Sequence, residues 1–104
     1  LEDGTYVKYG DIAFEVKGST RTLLMTERLL LNTMQRMSGI ATLSDRFASE
    51  VSGLPVKILD TRKTSPCFRH LEKQAVRIGG CHNYRDGLWD WFMIKDNHIQ
   101  AAGS

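Results

Sequence analysis

Arg62 and Lys63 stand side by side in "ILDTRKTSP" (residues 58–66), directly after an apolar stretch that reads as a buried strand. A second apolar stretch, "LWDWFMI" (88–94), ends the same way, in Lys95, Asp96, Asn97 and His98, and Arg85 lies in the loop that feeds it. Cations gathered at one place repel each other unless something anionic offsets them. Arginine in particular suits the paired oxygens of a carboxylate or phosphate. The chemistry these residues offer is therefore the binding of a small ligand with several carboxylates or phosphates. The competing reading is a surface salt-bridge network that uses Asp60 and Asp96, and residue types alone leave the two open.

Other chemistries have weaker signals. There is no Gly-x-Ser-x-Gly elbow and no glycine-rich phosphate loop, and Cys81 and His82 are adjacent rather than brought together by a fold. Cys67 and His70 have metal-like spacing, but the adjacency of the second pair argues against a zinc site, and two cysteines with no Cys-x-x-Cys pair are expected as reduced thiols. His98 has two readings, a general base or a structural hydrogen-bonding residue.

Of 104 residues, 41% are hydrophobic and 25% charged, with a formal net charge of +2, the composition of an ordinary globular protein with one modest core. Residues 1–59 hold seven Lys/Arg against seven Asp/Glu and residues 60–104 seven against five, so the excess lies in the second part. That balance suits a small anionic ligand and is too weak for nucleic acid. No apolar run approaches the roughly 20 residues of a membrane span, and no signal peptide opens the chain, so the expected location is cytoplasmic. The opening "LEDGTYVKYG" and the closing "AAGS" read as cuts from something longer.

The elements that must hold these cations follow from periodicity. Residues 1–19 alternate, with Tyr6 and Val7 before a turn and Ile12, Phe14 and Val16 two apart, which predicts two short antiparallel strands. No lysine sits at a hairpin tip flanked by Met, so an attached carrier group is not expected. A helix is expected from Thr26 as cap, with Leu30, Met34, Met37 and Ala41 in 3.6-residue phase as core and with 38–42 marking either a bend or close packing within a long helical stretch. Arg28 lies off that stripe. The segment 56–60 reads as a strand, 68–80 as a helix with Arg69, Lys73 and Arg77 on a solvated outer face, Gly79–Gly80 as its stop, "CHNYRDG" as a polar loop, and 88–94 as the next strand. Strand, helix, strand with a connection this long predicts a parallel crossover and an α/β layer or barrel, whose sites gather at the carboxyl ends of strands.

"TERLLLNTMQRMSGIAT", "ILDTRKTSP", "LEKQAV", "GGCHNYRDGL" and "MIKDNHIQAAGS" occur in an order and spacing that resemble the quinolinate phosphoribosyltransferase family over nearly the whole chain. The resemblance implies an α/β fold of which this chain covers a fragment: the end of a β-rich N-terminal α+β domain with its linking helix (1–37) and the first βαβ part of an α/β barrel (38–104). It implies phosphoribosyl transfer from phosphoribosyl pyrophosphate, with Mg2+, to quinolinate with decarboxylation, giving nicotinate mononucleotide, carbon dioxide and pyrophosphate in de novo NAD synthesis. By matching motifs it implies Arg62, Lys63, Tyr84, Arg85 and Lys95 as substrate-binding residues, and Arg28 as the arginine that reaches the neighbouring site of a homodimer or higher homo-oligomer. It implies no covalent enzyme intermediate, no resident metal ligand, no nucleic acid and no membrane. Tyr84 departs from the family's usual His before Arg, and Ser65 and Cys67 from its commoner Thr-Thr-Pro-Gly loop. These 104 residues alone are expected not to catalyse. The alternatives are a phosphoribosyltransferase for another ring acid, such as nicotinate, and a non-catalytic anion-binding module.

Overall fold

The computed structural model describes residues 1–103, in the order α1 (Thr20–Glu50), α2 (Arg69–Ile78) and α3 (Asp96–Ala102). Helix α1 begins six residues before the expected cap. Ser19 is extended (φ −66°, ψ 141°) and its Oγ accepts from the Thr22 N–H at 3.3 Å, so it satisfies one of the orphan donors of the first turn. Thr26 instead lies inside the helix, where its Oγ1 donates back to the Thr22 carbonyl at 2.9 Å. Nothing between Thr20 and Met25 breaks a helix, and the serine is the better start. Of the two readings of 38–42, the structure shows close packing rather than a bend: the helix runs unbroken for 31 residues, and its Ala41 carbonyl meets the backbone at Gly79.

Helix α2 packs on α1, with the closest backbone approach just past its end at Gly79. A Cβ on Gly79 would lie 2.2 Å from the Ala41 carbonyl oxygen and 2.6 Å from Ser44 Cβ, so only glycine lets the two backbones meet there. Gly80 then takes a left-handed φ of 83° and turns the chain out of the helix. Ala75 and Cys81 are buried at this contact, with the Cys81 thiol donating to the Ser44 carbonyl at 3.2 Å.

The strand pairing differs from expectation. Leu59 forms a parallel bridge with His82: His82 N–H donates to the Ile58 carbonyl at 2.9 Å, and Asp60 N–H to the His82 carbonyl at 3.0 Å. The crossover is therefore present, but its second arm is the start of the segment read as a polar loop. Residues 88–94 form no ladder among the described residues, because their leading end is closed on itself. The Trp89 ring packs against Gly87, where a Cβ would lie 2.3 Å away, Asp86 N–H donates to Asp90 Oδ2 at 3.1 Å, and the Arg85 guanidinium to the Trp91 carbonyl at 2.5 Å. Beyond them, α3 is a short helix where a strand end was expected. The Lys95 N–H donates to His98 Nδ1 at 3.1 Å, which gives His98 the structural role, and Gly103 (φ 79°) closes the helix.

The expected hairpin of residues 1–19 is likewise an extended segment without a ladder among the described residues. Gly4 (φ 84°) and Gly10 (φ 92°) turn it, and the amino terminus reaches the Ala13 carbonyl at 2.9 Å. Lys8 N–H donates to Asp11 Oδ2 at 2.7 Å, a local turn that competes with cross-strand pairing. Tyr6 holds the segment to α1 by donating its hydroxyl to Asp45 at 2.5 Å.

The chain measures 63 × 38 × 17 Å with a radius of gyration of 18.4 Å, against about 13 Å for a compact domain of this size. Its accessible surface of 9054 Å² exceeds the roughly 5,900 Å² of a folded monomer of this mass. Apolar side chains account for much of the excess, including Leu24, Met25, Leu29, Leu43 and Phe47 on α1 and Trp89, Trp91, Phe92 and Ile94 after α2. The Leu30, Met34 and Met37 stripe is exposed or half-buried rather than core.

A candidate anion site on two loops held by α2

The site is built from the loop 60–65 that follows the bridge and the loop 83–87 that follows α2. Asp60 lies at the centre. Its Oδ1 accepts from Lys73 Nζ at 2.7 Å and from the Tyr84 N–H at 2.8 Å. With its amide oriented to donate, Asn83 reaches Asp60 Oδ2 at 2.9 Å and the Lys73 carbonyl at 3.0 Å. The Lys73 and Asp60 side chains are only 4% and 8% exposed, so this is a buried pair, and Asp86 Oδ1 stands a further 4.0 Å from the ammonium.

Lys73 was expected on a solvated outer face with Arg69 and Arg77. Arg77 is exposed, but Lys73 is buried and Arg69 half-buried. The helical spacing was correct and its environment was not, because the first two turns of α2 face the two loops rather than solvent. Arg69 donates to Thr64 Oγ1 at 3.1 Å, to the Arg62 carbonyl at 3.3 Å and to the Asp86 carbonyl at 3.1 Å. Glu72, on the same turns, accepts from Arg36 of α1 at 2.7 Å and from the Ser65 N–H at 3.2 Å, while Arg36 also donates to Ser65 Oγ at 2.6 Å. Burial pushes the Glu72 carboxyl up, but hydrogen bonds from Arg36 and Ser65, with the Arg36 charge, outweigh it and hold the group below its ordinary 4.5.

These contacts decide what the strand-end cations are free to do. Asp60 is taken by Lys73, and Asp96 forms no ion pair, so among the described residues the salt-bridge reading finds no partner for Arg62 or Lys63. Arg62 is half-buried, and its Nε is shielded with no acceptor among the described residues. An orphaned, charged donor of this kind costs about 1–3 kcal/mol or more until an acceptor reaches it. Lys63 is exposed, and its backbone N–H is fixed by Thr61 Oγ1 at 3.1 Å. Arg85 is buried, with one guanidinium nitrogen spent on the Trp91 carbonyl. The Tyr84 side chain is exposed while its backbone is held by Asp60.

Helix α2 thus holds the main chain at Arg62 through Arg69, at Tyr84 through Lys73 and Asp60, and next to Arg85 at Asp86, while Lys63 lies between the held residues Arg62 and Thr64. Among the described residues no hydrogen bond or ion pair joins Lys95, at the start of α3, or Arg28, exposed on α1, to this cluster. Two clefts lie away from this cluster, one along α1 at Arg36, Gly39 and Leu43 and another of about 390 Å³ between Tyr6, Met37, Asp45 and Ile78. Cys67 is exposed in the loop before α2, with a left-handed φ of 60° at the position where the commoner loop form carries glycine.

Comparison with known proteins places this arrangement. Residues 1–38 match the model of the quinolinate phosphoribosyl transferase N-terminal domain and residues 40–104 that of its C-terminal domain, so the two meet within α1. The chain is 48% identical over 103 residues to a probable nicotinate-nucleotide pyrophosphorylase [carboxylating] of Bacillus subtilis, covering 99% of this chain and 36% of that protein. It is 53% identical over 102 residues to the chloroplastic nicotinate-nucleotide pyrophosphorylase [carboxylating] of Arabidopsis thaliana, covering 98% of this chain and 29% of that one. The crystal structure of NadC from Streptococcus pyogenes superposes with a TM-score of 0.88 at 45% identity, over 100% of this chain and 36% of NadC. The chain spans about a third of the length of these relatives, and it belongs to the quinolinate phosphoribosyl transferase family.

Proposed function

We propose that this chain carries the cationic substrate wall of a carboxylating nicotinate-nucleotide pyrophosphorylase, which transfers phosphoribose from phosphoribosyl pyrophosphate to the ring nitrogen of quinolinate with loss of carbon dioxide. The observation that supports this best is the shielded Nε of Arg62, without an acceptor among the described residues, beside an exposed Lys63, with Asp60 already taken by Lys73. Quinolinate brings two carboxylates and the donor a phosphate and a pyrophosphate, so the pocket needs fixed positive charge that positions the reactants and stabilises the departing pyrophosphate. Arg62, Lys63, Arg85 and Lys95 supply it, with Tyr84 donating a hydrogen bond where its relatives carry a cation-capable side chain. Mg2+ arrives as part of the donor substrate. Among the described residues no group of three or more His, Cys, Asp or Glu could hold a metal.

Residues 56–85 are read as the first strand, helix and strand of an α/β barrel. Arg28, exposed on α1 and without an ion pair among the described residues, is read as the residue that enters the site of a second copy in a homodimer. The two free thiols suit a reducing cytosol, and no helix among the described residues is long and apolar enough to cross a membrane.

The test is turnover of quinolinate and phosphoribosyl pyrophosphate with Mg2+ by the full-length protein, read as nicotinate mononucleotide and pyrophosphate. Arg62→Ala and Lys63→Ala should each lower kcat/KM by about 10- to 100-fold, the loss of one charge-assisted contact. Absence of product from the unmodified protein refutes the assignment. Product from nicotinate in place of quinolinate moves it to another ring acid, and binding of phosphoribosyl pyrophosphate without turnover moves it to an anion-binding module.

A further inference from the structure

We infer that Arg69 is a positioning residue that sets the spacing of Arg62 and Arg85, and so the fit of quinolinate between them; this rests on the reading of those two arginines as substrate cations. The guanidinium of Arg69 donates to three acceptors in two loops: Thr64 Oγ1 at 3.1 Å, the Arg62 carbonyl at 3.3 Å and the Asp86 carbonyl at 3.1 Å. Two of the three are backbone oxygens, which no change of rotamer can re-aim. One belongs to Arg62 itself, and the other follows Arg85 directly. A single planar fork therefore fixes the main chain at both cations, and the first turn of a helix fixes the fork. Arg69 makes no ion pair among the described residues, so a carboxylate does not compete for its orientation.

The geometry of the guanidinium is what this role needs. Lysine keeps the charge, but its one nitrogen cannot span acceptors that three separate nitrogens reach. Its neighbours on α2 complete the frame from either side, Glu72 through Ser65 and Lys73 through Asp60, but neither contacts both loops through main-chain carbonyls. A displacement of about 1 Å in a substrate-positioning group can cost on the order of 100-fold in rate.

The experiment is steady-state kinetics of the full-length protein with Arg69→Gln, Arg69→Lys, Arg62→Ala and the double variant Arg62→Ala/Arg69→Gln, with Arg77→Gln as a control on the exposed face of α2. Arg69→Gln and Arg69→Lys should both raise KM for quinolinate about 10-fold or more, with a smaller change in KM for phosphoribosyl pyrophosphate and a thermal midpoint above the assay temperature. In the Arg62→Ala background the Arg69→Gln penalty should shrink at least threefold, because a residue that acts through Arg62 has little left to position. Unchanged KM in both Arg69 variants, recovery of normal KM in Arg69→Lys, or an undiminished penalty in the double variant overturns the inference while leaving the substrate reading intact. An Arg62→Ala variant with normal quinolinate KM overturns that reading, and this inference with it.

Discussion

Replacing Lys73 with methionine removes a buried charge from a site that outward-facing helical spacing would call solvent. If Lys73 were an exposed member of the Arg69/Lys73/Arg77 row, its loss would cost about 0–1 kcal/mol, the usual worth of a surface ion pair. The structure gives a different magnitude. Both side chains are under a tenth exposed and lie 2.7 Å apart, and breaking such a pair from one side costs about 3–5 kcal/mol because the other charge stays buried. Asp60 keeps two donors, the Tyr84 N–H and the Asn83 amide, which places the expected loss near the lower end, about 3 kcal/mol. In a urea titration of the full-length protein followed by tryptophan fluorescence, a loss of that size lowers the midpoint by about 1 M for a slope of about 3 kcal/mol/M. Asp60→Asn and the double variant complete a cycle whose coupling should exceed about 1.5 kcal/mol and persist in 1 M NaCl, since a buried pair is poorly screened. A single-variant loss below about 1 kcal/mol, or a coupling that vanishes in salt, would refute the buried-pair argument.

The Glu72 carboxyl titrates below its ordinary 4.5 in the folded chain, so its contribution to stability is complete above that value and is lost as the pH falls through the lower folded one. Acid titrations should show Glu72→Gln less stable near neutrality, with the gap to the unmodified protein closing below pH 4.5. Cys67→Gly removes a left-handed β-carbon at φ 60°. The relief of about 1–2 kcal/mol exceeds glycine's added chain entropy of about 0.5–1 kcal/mol, so the thermal midpoint should hold or rise, and a fall of several degrees would contradict it.

The cations of the candidate site stand out in the sequence because their types and their places after apolar stretches carry meaning without knowledge of the fold. Arg62 and Lys63 are the clearest case. What holds them was not legible, and the reason is physical. Arg69 and Lys73 repeat at a spacing that marks the polar side of an amphipathic helix, and periodicity assigns that side to water. Here it faces two loops rich in carbonyl and carboxylate oxygens, a fact of tertiary packing. The fold shows the same division. Gly79 and Gly80 announced the end of α2 by composition, and the resemblance of scattered motifs named the family. "LWDWFMI" has the composition of a strand, but a strand is a pairing, and the described residues of this chain give it no partner. Ser19 was passed over as a cap because the apolar period becomes regular only later, although the helix begins where an acceptor first becomes available.

The bonds around Asp60 have a temporal meaning as well. The Lys73 and Tyr84 contacts close loops of 13 and 24 residues, short enough for a chain to sample rapidly, since closure cost grows slowly with length and short-range contacts favour fast folding. Synthesis at about 5–20 residues per second brings Tyr84 out one to five seconds after Asp60. The frame of the candidate anion site can therefore assemble while later residues are still being made. The exposed Trp91, Phe92 and Ile94 side chains emerge next, after the frame that precedes them.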